Sequence, residues 1–246
     1  MIQHLLHNRI WLALHQLKQE PGRPLLLLHG LGECSPVELP FEYADWPGPV
    51  HALDFTGHGM STVPQGGGYT CELLMGDADA ALAALGEATI AGRGLGAYIA
   101  LLLAGARPAA VRGVILRDGS GLAGGGATDR SPYIPVVDTQ QPAPPDPFAI
   151  ADLATDIRPP SYSTSYALLA EQESGLVRPV MVCAREHPEW LKAVMDALGI
   201  ETVNRPADHM LGRKMMAAGF SPGADLAASG GEALKSAFAL WQQSRG

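Results

Sequence analysis

Short apolar runs alternate with longer segments of helical periodicity along most of this chain. Residues 71–85 carry leucine and alanine at helical spacing and are followed by Gly86, a typical helix stop. A glycine-rich turn and a second, strongly apolar helical segment follow the run at 88–91. Strands that alternate with helices predict an α/β fold with a mostly parallel, doubly wound sheet. The predicted buried strands are Leu25–Leu28, Val50–Phe55, Ala88–Ala91, Val111–Leu116 and Pro179–Ala184.

Two regions depart from this alternation of strands and helices. Residues 5–17 alternate weakly between apolar and polar positions, which predicts two antiparallel edge strands. Residues 119–177 contain a glycine-rich run, a proline-rich run and two short helical patches, so we expect a short lid insertion there. The α/β pattern then resumes, with a further strand at 201–203 and a closing amphipathic helix at 231–243. We therefore expect one domain over residues 1–246.

Composition narrows the range of partners. The formal net charge is −8 and basic residues are not clustered, so neither nucleic acid nor an anionic membrane is expected as a partner. No apolar run is long enough to span a bilayer, and the first residues lack the pattern of a signal peptide, so we expect a cytoplasmic protein. Three scattered cysteines predict neither a disulfide framework nor a zinc site, and no metal or cofactor is expected.

The turn between the strand at 88–91 and the following helix has an unusual sequence, Gly92-Arg93-Gly94-Leu95-Gly96. Its glycine spacing is that of a nucleophile elbow, a sharp strand-to-helix turn that exposes one side chain at the carboxyl edge of a sheet. The exposed position is Gly94, which has no side chain. The turn is thus built as if for a nucleophile, but the nucleophile position is vacant.

Four segments together resemble the α/β-hydrolase superfamily, in the order that the family uses. Residues 28–32 (Leu-His-Gly-Leu-Gly) resemble its oxyanion loop, and residues 54–61 resemble the glycine-rich turn after its fourth strand. Residues 92–96 occupy the place of the elbow, and residues 206–210 (Pro-Ala-Asp-His-Met) resemble the segment of the catalytic histidine. The resemblance implies an α/β-hydrolase fold, but a fold alone does not imply an activity.

Carrying over the family's catalytic roles leaves one member of the triad in place. His209 matches the general base, whereas Gly94 stands where the family has Ser, Cys or Asp. His187 stands where the acid is expected, so no carboxylate is available at that position. Asp118, at the end of the strand before the lid, is the alternative acid that could orient His209; its other interpretation is a turn cap.

The resemblance also implies ligand-binding positions. The backbone amides of Leu31 and Leu95 would form an oxyanion hole, which the loss of the serine does not remove. Arg93 could contact a ligand carboxylate or form a structural salt bridge. Cys34 and Ser35 follow the oxyanion loop and could face the pocket, either as ordinary loop residues or as a displaced nucleophile.

These residues leave three hypotheses for function. The first is a protein that binds a small, largely apolar ligand with a carbonyl group and has little or no serine-hydrolase activity. The second is a non-covalent hydrolase or lyase, in which His209 is the general base and the amides of Leu31 and Leu95 stabilise an oxyanion. The third is a structural or oligomerisation role, and a homodimer is compatible with each of the three.

Overall fold

The computed structural model of the chain describes residues 1–125 and 143–200, which form one sheet with helices packed against it. The strands are β1 (Ile2–His7), β2 (Ile10–Lys18), β3 (Leu25–Leu28), β4 (Val50–Leu53), β5 (Ala88–Arg93), β6 (Val111–Arg117) and β7 (Val180–Cys183). The α-helices are α1 (Cys71–Leu85), α2 (Leu95–Ala106), α3 (Pro147–Thr155), α4 (Pro160–Glu173) and α5 (Glu189–Leu198), and a 3-10 turn spans Phe41–Tyr43.

The seven strands lie in the order β1-β2-β4-β3-β5-β6-β7. The hairpin of β1 and β2 is antiparallel and adds to one edge, and every pair from β4 to β7 is parallel. The predicted α/β class and the mostly parallel sheet are thus confirmed, as are the two antiparallel edge strands. The carboxyl ends of β3, β5 and β6 meet at one edge of the sheet, where the loops with candidate chemistry begin.

Each buried strand contributes to two separate cores because side chains alternate between the two faces of a sheet. Leu26 and Leu28 pack into the larger core, together with the apolar side chains of α1 and α2. Leu25 and Leu27 point to the opposite face, where they join a smaller core that includes Tyr43 and Trp46. A strand that is buried on both faces reads as a continuous apolar run, which explains the four consecutive leucines of β3.

Local signals determine where the helices begin and end. The Thr70 hydroxyl accepts a hydrogen bond from the Leu73 amide (3.2 Å) at the start of α1, and Gly86 ends that helix with a φ of 80°. The Asp146 carboxylate caps α3 at the Phe148 amide (3.1 Å). In the region predicted as a lid, α4 packs beside α2 and α5. The predicted elements at 201–203 and 231–243 lie outside the described residues.

Within the described ranges, no helix is both long enough and apolar enough to cross a membrane.

Candidate functional site

The turn between β5 and α2 has the backbone of a nucleophile elbow. Gly94 has φ 57° and ψ −123°, a conformation that strains a residue with a side chain. Gly92 and Gly96 permit the close approach of neighbouring backbone. A Cβ on Gly92 would lie 2.2 Å from the Gly96 oxygen, and a Cβ on Gly96 would lie 2.5 Å from the Leu28 oxygen. Glycine is therefore required at all three positions for this turn to fit against β3.

The space above Gly94 is filled by the chain itself. A Cβ on Gly94 would lie 2.1 Å from the carbonyl oxygen of Ser120 and 2.6 Å from the carbonyl carbon of Gly119. Both atoms belong to the backbone that follows β6, so a small rotation of a side chain cannot relieve the overlap. A serine at position 94 does not fit while residues 119 and 120 hold this position.

The same carbonyl group occupies the place of the predicted oxyanion hole. The Leu31 amide and the Leu95 amide both donate hydrogen bonds to the Ser120 oxygen, each at 2.9 Å. These are the two amides that the sequence assigns to a ligand oxygen. An amide has one N–H group, so a ligand carbonyl at this place would have to displace Ser120. In this conformation both amides are engaged by Ser120, and their binding of a ligand oxygen stays a prediction.

Residues Gly119–Leu122, called the closing loop here, are fastened at their first end by Glu33. One oxygen of the Glu33 carboxylate accepts a hydrogen bond from the Ser120 hydroxyl (3.2 Å), and the other accepts one from the Gly30 amide (3.1 Å). Arg93 forms an ion pair with Glu33 at 3.1 Å. Arg93 thus makes the structural salt bridge that the sequence left as one of two interpretations. Its side chain is 51% exposed, so this pair stabilises the loop only weakly.

The far end of the closing loop is held by two buried side chains. Arg158, which is 4% exposed, donates hydrogen bonds to the carbonyl oxygens of Gly121 and Leu122. The indole N–H of Trp190 donates to the same Leu122 oxygen at 2.8 Å. The Arg158 guanidinium also lies over the ring of Tyr98, 5.0 Å from its centroid. The loop that fills the hole is therefore fixed to both the elbow and the helical layer.

The two histidines near the hole form hydrogen bonds with backbone groups. The Nε2 atoms of His29 and His58 accept hydrogen bonds from the Phe55 amide (3.2 Å) and the Gly32 amide (3.3 Å), so each ring carries its proton on Nδ1. Each Nδ1 then donates to a carbonyl oxygen of a neighbouring turn. Burial lowers the pKa of His58 to about 3. Both rings are thus neutral at pH 7 and fully engaged.

An acidic residue orders the turn after β4. Although burial alone would raise it, the pKa of Asp54 lies well below its usual range because His15 and the amides of Met60 and Ser35 donate to the carboxylate. A Cβ on Gly59 would overlap this carboxylate, at 2.3 Å. The glycine-rich turn therefore wraps a buried anion that holds the loop of Ser35 in place.

The structure does not assemble a catalytic triad among the described residues. The Asp118 carboxylate accepts hydrogen bonds from the amides of Arg185 (2.8 Å) and Glu186 (3.0 Å), so it caps the loop after β7. In that loop, Nε2 of His187 lies 3.0 Å from the Ala184 oxygen, and the ring closes its own turn. His209 lies outside the described residues. Its role as a base and its pairing with Asp118 stay predictions.

Three of the predicted ligand-binding residues do meet in one cavity. Arg93, Cys34 and Ser35 line a space of about 370 Å³ at the carboxyl edge of the sheet, and Asp118 lines it as well. The lining of this cavity contains neither Leu31 nor Leu95. The ligand-binding residues predicted from the sequence therefore divide into two places, the filled hole and an open cavity.

Sequence reasoning missed the residues that close the hole. Ser120 acts through its carbonyl oxygen, which every residue type has, so its side chain gives no signal. Arg158 and Trp190 reach the closing loop from distant parts of the chain. The one local signal is the pair of glycines that flank Ser120 directly after β6, since they permit a close approach to the elbow.

No protein-family model matches the chain, and no curated protein matches it. Solved structures do. A thioesterase domain from the curacin biosynthetic pathway matches with a TM-score of 0.52 and 16% identity, over 81% of this chain and 89% of that one. A membrane phospholipase A, a bacterial virulence factor, matches with a TM-score of 0.50 and 18% identity, over 89% and 86%.

A probable hydrolytic enzyme from Pseudomonas aeruginosa PAO1 matches over 47% of this chain and only 40% of its own, with 24% identity and a TM-score of 0.41. At these identities the likeness concerns the fold and not the chemistry. The chain has the α/β-hydrolase fold.

Proposed function

We propose that this chain is a non-hydrolytic protein of α/β-hydrolase fold, which binds a small, largely apolar ligand with a carbonyl group. One observation carries the proposal: the Ser120 carbonyl accepts from both amides of the oxyanion hole, above an elbow that has no side chain. The place where the fold performs acyl transfer in enzymes is thus filled by the chain's own backbone.

Covalent catalysis needs a nucleophile and free oxyanion-hole donors, and the elbow of this chain offers neither in this conformation. Gly94 offers no atom that could attack a carbonyl carbon. Loss of a single oxyanion donor slows hydrolases by about 10²–10³-fold, and here both donors are engaged. Among the described residues the buried Ser35 hydroxyl has no hydrogen-bond partner, so none of them is a base that would activate it as a replacement nucleophile.

The non-covalent alternative requires the same two amides. A water molecule activated by His209 would produce an oxyanion, and the hole would have to stabilise it. With the Leu31 and Leu95 amides bound to Ser120, that stabilisation is available only after the closing loop has moved. The contacts of Glu33, Arg158 and Trp190 with the loop oppose such a movement, so we favour binding over turnover.

Turnover and labelling test the non-hydrolytic part. We expect p-nitrophenyl esters of acetate, butyrate and octanoate to be hydrolysed by the full chain no faster than by its His209→Ala variant. A fluorophosphonate probe should attach to neither protein. Turnover that His209→Ala abolishes would establish the alternative, and attachment of the probe to Ser35 would make that residue the nucleophile.

A further inference from the structure

Strand β1 is an open edge of the sheet. It comes first in the order β1-β2-β4-β3-β5-β6-β7, and among the described residues only β2 pairs with it. Met1 exchanges both of its main-chain hydrogen bonds with Gln16 of β2, at 2.8 and 3.3 Å. Hydrogen-bonded and non-hydrogen-bonded pairs alternate along an antiparallel ladder. The N–H and C=O groups of Ile2, His4 and Leu6 therefore point away from β2, to the open edge.

This edge lacks the features that keep exposed strands from pairing with other chains. Proteins protect such edges with charged side chains, proline or a β-bulge. The sequence of β1, IQHLLH, contains no Asp, Glu, Lys, Arg or Pro, and its register with β2 is regular throughout. The whole segment 1–19 contains no acidic residue, although the chain has 25 of them. Two copies of this edge can therefore approach each other without repulsion between carboxylates.

Apolar side chains are exposed along one face of the same edge. Ile2 and Leu6 are 38% and 60% exposed and share a face, because side chains alternate along a strand. Trp11 of β2 lies opposite Leu6 and is 53% exposed. Its main chain is fixed on the side away from β1, where it accepts from the Thr62 amide (2.8 Å) and donates to the Thr62 hydroxyl (3.1 Å). An exposed apolar strip that contains a held tryptophan is typical of a protein–protein contact.

We propose that β1 is the interface of a homodimer, in which the β1 strands of two copies pair antiparallel across a two-fold axis at His4. His4 then lies opposite His4 of the second copy, and Ile2 of each copy lies opposite Leu6 of the other. Each of these pairs exchanges two main-chain hydrogen bonds, so one sheet continues through both copies. The proposal goes beyond the proposed binding function and does not depend on it.

A second copy suits this edge because the pairing is self-complementary. With His4 on the axis, all three outward-facing residues of each strand are paired, whereas a shift by two residues would leave one of them beyond the end of the partner strand. Residues directly opposite each other have Cβ atoms about 4.5–5.5 Å apart. Trp11, Leu6 and Ile2 of the second copy therefore form one apolar row, and the two-fold axis repeats that row.

Analytical ultracentrifugation of the full chain, from about 5 to about 200 µM, tests the association. We expect a concentration-dependent equilibrium between monomer and dimer. Leu6→Lys places a charge opposite an isoleucine at two symmetric positions, so it should raise the Kd of the dimer at least about tenfold. Val177→Lys is the matched control, since Val177 is 86% exposed and lies in the loop before β7. It should change the Kd by less than about twofold.

His4→Pro tests the main-chain part of the interface. The His4 N–H faces the open edge, so proline removes a donor to the second copy and keeps the ladder with β2. We expect this variant to stay monomeric over the same concentrations, with an unchanged far-ultraviolet circular dichroism spectrum. Leu6→Lys, at an exposed position, tests the interface independently of any effect of proline on the hairpin.

Cysteine cross-linking tests the register. The Cα atoms of a hydrogen-bonded antiparallel pair lie about 5.5 Å apart, within the span of a disulfide. His4→Cys should therefore give a covalent dimer under mild oxidation, as seen on non-reducing gels. Each cysteine variant also carries Cys34→Ser, because the native Cys34 thiol is partly exposed. Ile2→Cys is the control: the two copies of residue 2 would lie four residues apart along the paired strands, about 13 Å, and should not cross-link.

The outcomes separate the dimer, its interface and its register. A chain that stays monomeric up to about 200 µM would overturn the proposal. A dimer that neither Leu6→Lys nor His4→Pro weakens would overturn β1 as its interface. Cross-linking through Ile2→Cys in place of His4→Cys would overturn the two-fold axis at His4. Hydrolysis of esters that depends on His209 would overturn the non-hydrolytic function and leave the dimer unaffected.

Discussion

Replacing Gly94 with alanine adds one methyl group at the point where the closing loop touches the elbow. Two costs follow. A residue with a side chain at φ 57° and ψ −123° is strained by about 1–3 kcal/mol. The new Cβ also lies 2.1 Å from the Ser120 oxygen, so this carbonyl must move by about 1 Å to reach ordinary contact. Its two hydrogen bonds, which are worth about 0.5–1.5 kcal/mol each, then weaken or break.

The sum is a loss of about 2–6 kcal/mol in the free energy of unfolding. Urea denaturation of the full chain measures it, with Gly199→Ala as the control. Gly199 has φ 60° and ψ 36°, in the left-handed region, and a Cβ there would meet no atom of the described residues within 4 Å, so that variant reports the cost of a side chain at a positive φ without the clash. We expect Gly94→Ala to cost at least about 1 kcal/mol more than Gly199→Ala. Equal costs would refute the reasoning, because the closing loop would then leave room for a side chain.

The same geometry predicts that Gly94→Ser does not restore an esterase. The serine would strain the elbow and push against Ser120, and we expect neither burst kinetics with p-nitrophenyl acetate nor fluorophosphonate labelling. Labelling at position 94 would show that the loop yields readily to a side chain.

Three further predictions concern the contacts around the hole. Arg158→Met removes the Nη1 group that donates to the Gly121 and Leu122 oxygens. The Leu31 and Leu95 amides should then exchange with deuterium at least tenfold faster in NMR. Unchanged protection of these amides would show that Arg158 does not hold the loop. Asp118→Ala should lower the free energy of unfolding by about 1 kcal/mol and Asp118→Asn by less, because the amide oxygen can still accept from the loop after β7. The depressed pKa of His58 means that the unfolded chain binds a proton between pH 6.5 and about 3 that the folded chain excludes. The contribution of His58 to the free energy of unfolding should therefore be constant above about pH 7.5 and should fall by about 1.4 kcal/mol per pH unit below about pH 6. Urea titrations at pH 7, 6 and 5 should show a shallower fall for His58→Gln than for the unchanged chain.

The fold was predictable because its signals are local. The leucines of β3 and the helical spacing between Cys71 and Leu85 each depend on residues close in sequence, and the structure gives α1 these same bounds. The glycines at 92, 94 and 96 identified the elbow for the same reason. Each requires glycine through contacts or torsions that the turn itself creates.

Whether the predicted oxyanion hole is open or filled could not be predicted from local sequence in the same way. The groups that close it are a backbone carbonyl at residue 120 and the side chains of Arg158 and Trp190, brought together only by the packing of the closing loop against α2 and α5. A missing nucleophile is visible in a sequence, whereas an oxygen atom that every residue possesses is not. The open cavity is hidden similarly, since its lining comes from four strands and from the segments that follow β3 and β6.

The hydrogen bonds of Ser120 also bear on stability. In a hydrolase the two amides of the oxyanion hole point to a place that only a reacting substrate fills, so the folded enzyme keeps two donors that lack a protein partner. Function of this kind opposes stability. In this chain the closing loop supplies the missing acceptor, and the carboxyl edge of β3 and β5 is joined to the segment after β6. The elbow thus serves as a point of attachment for the closing loop, whose carbonyl group adds two hydrogen bonds to the folded state.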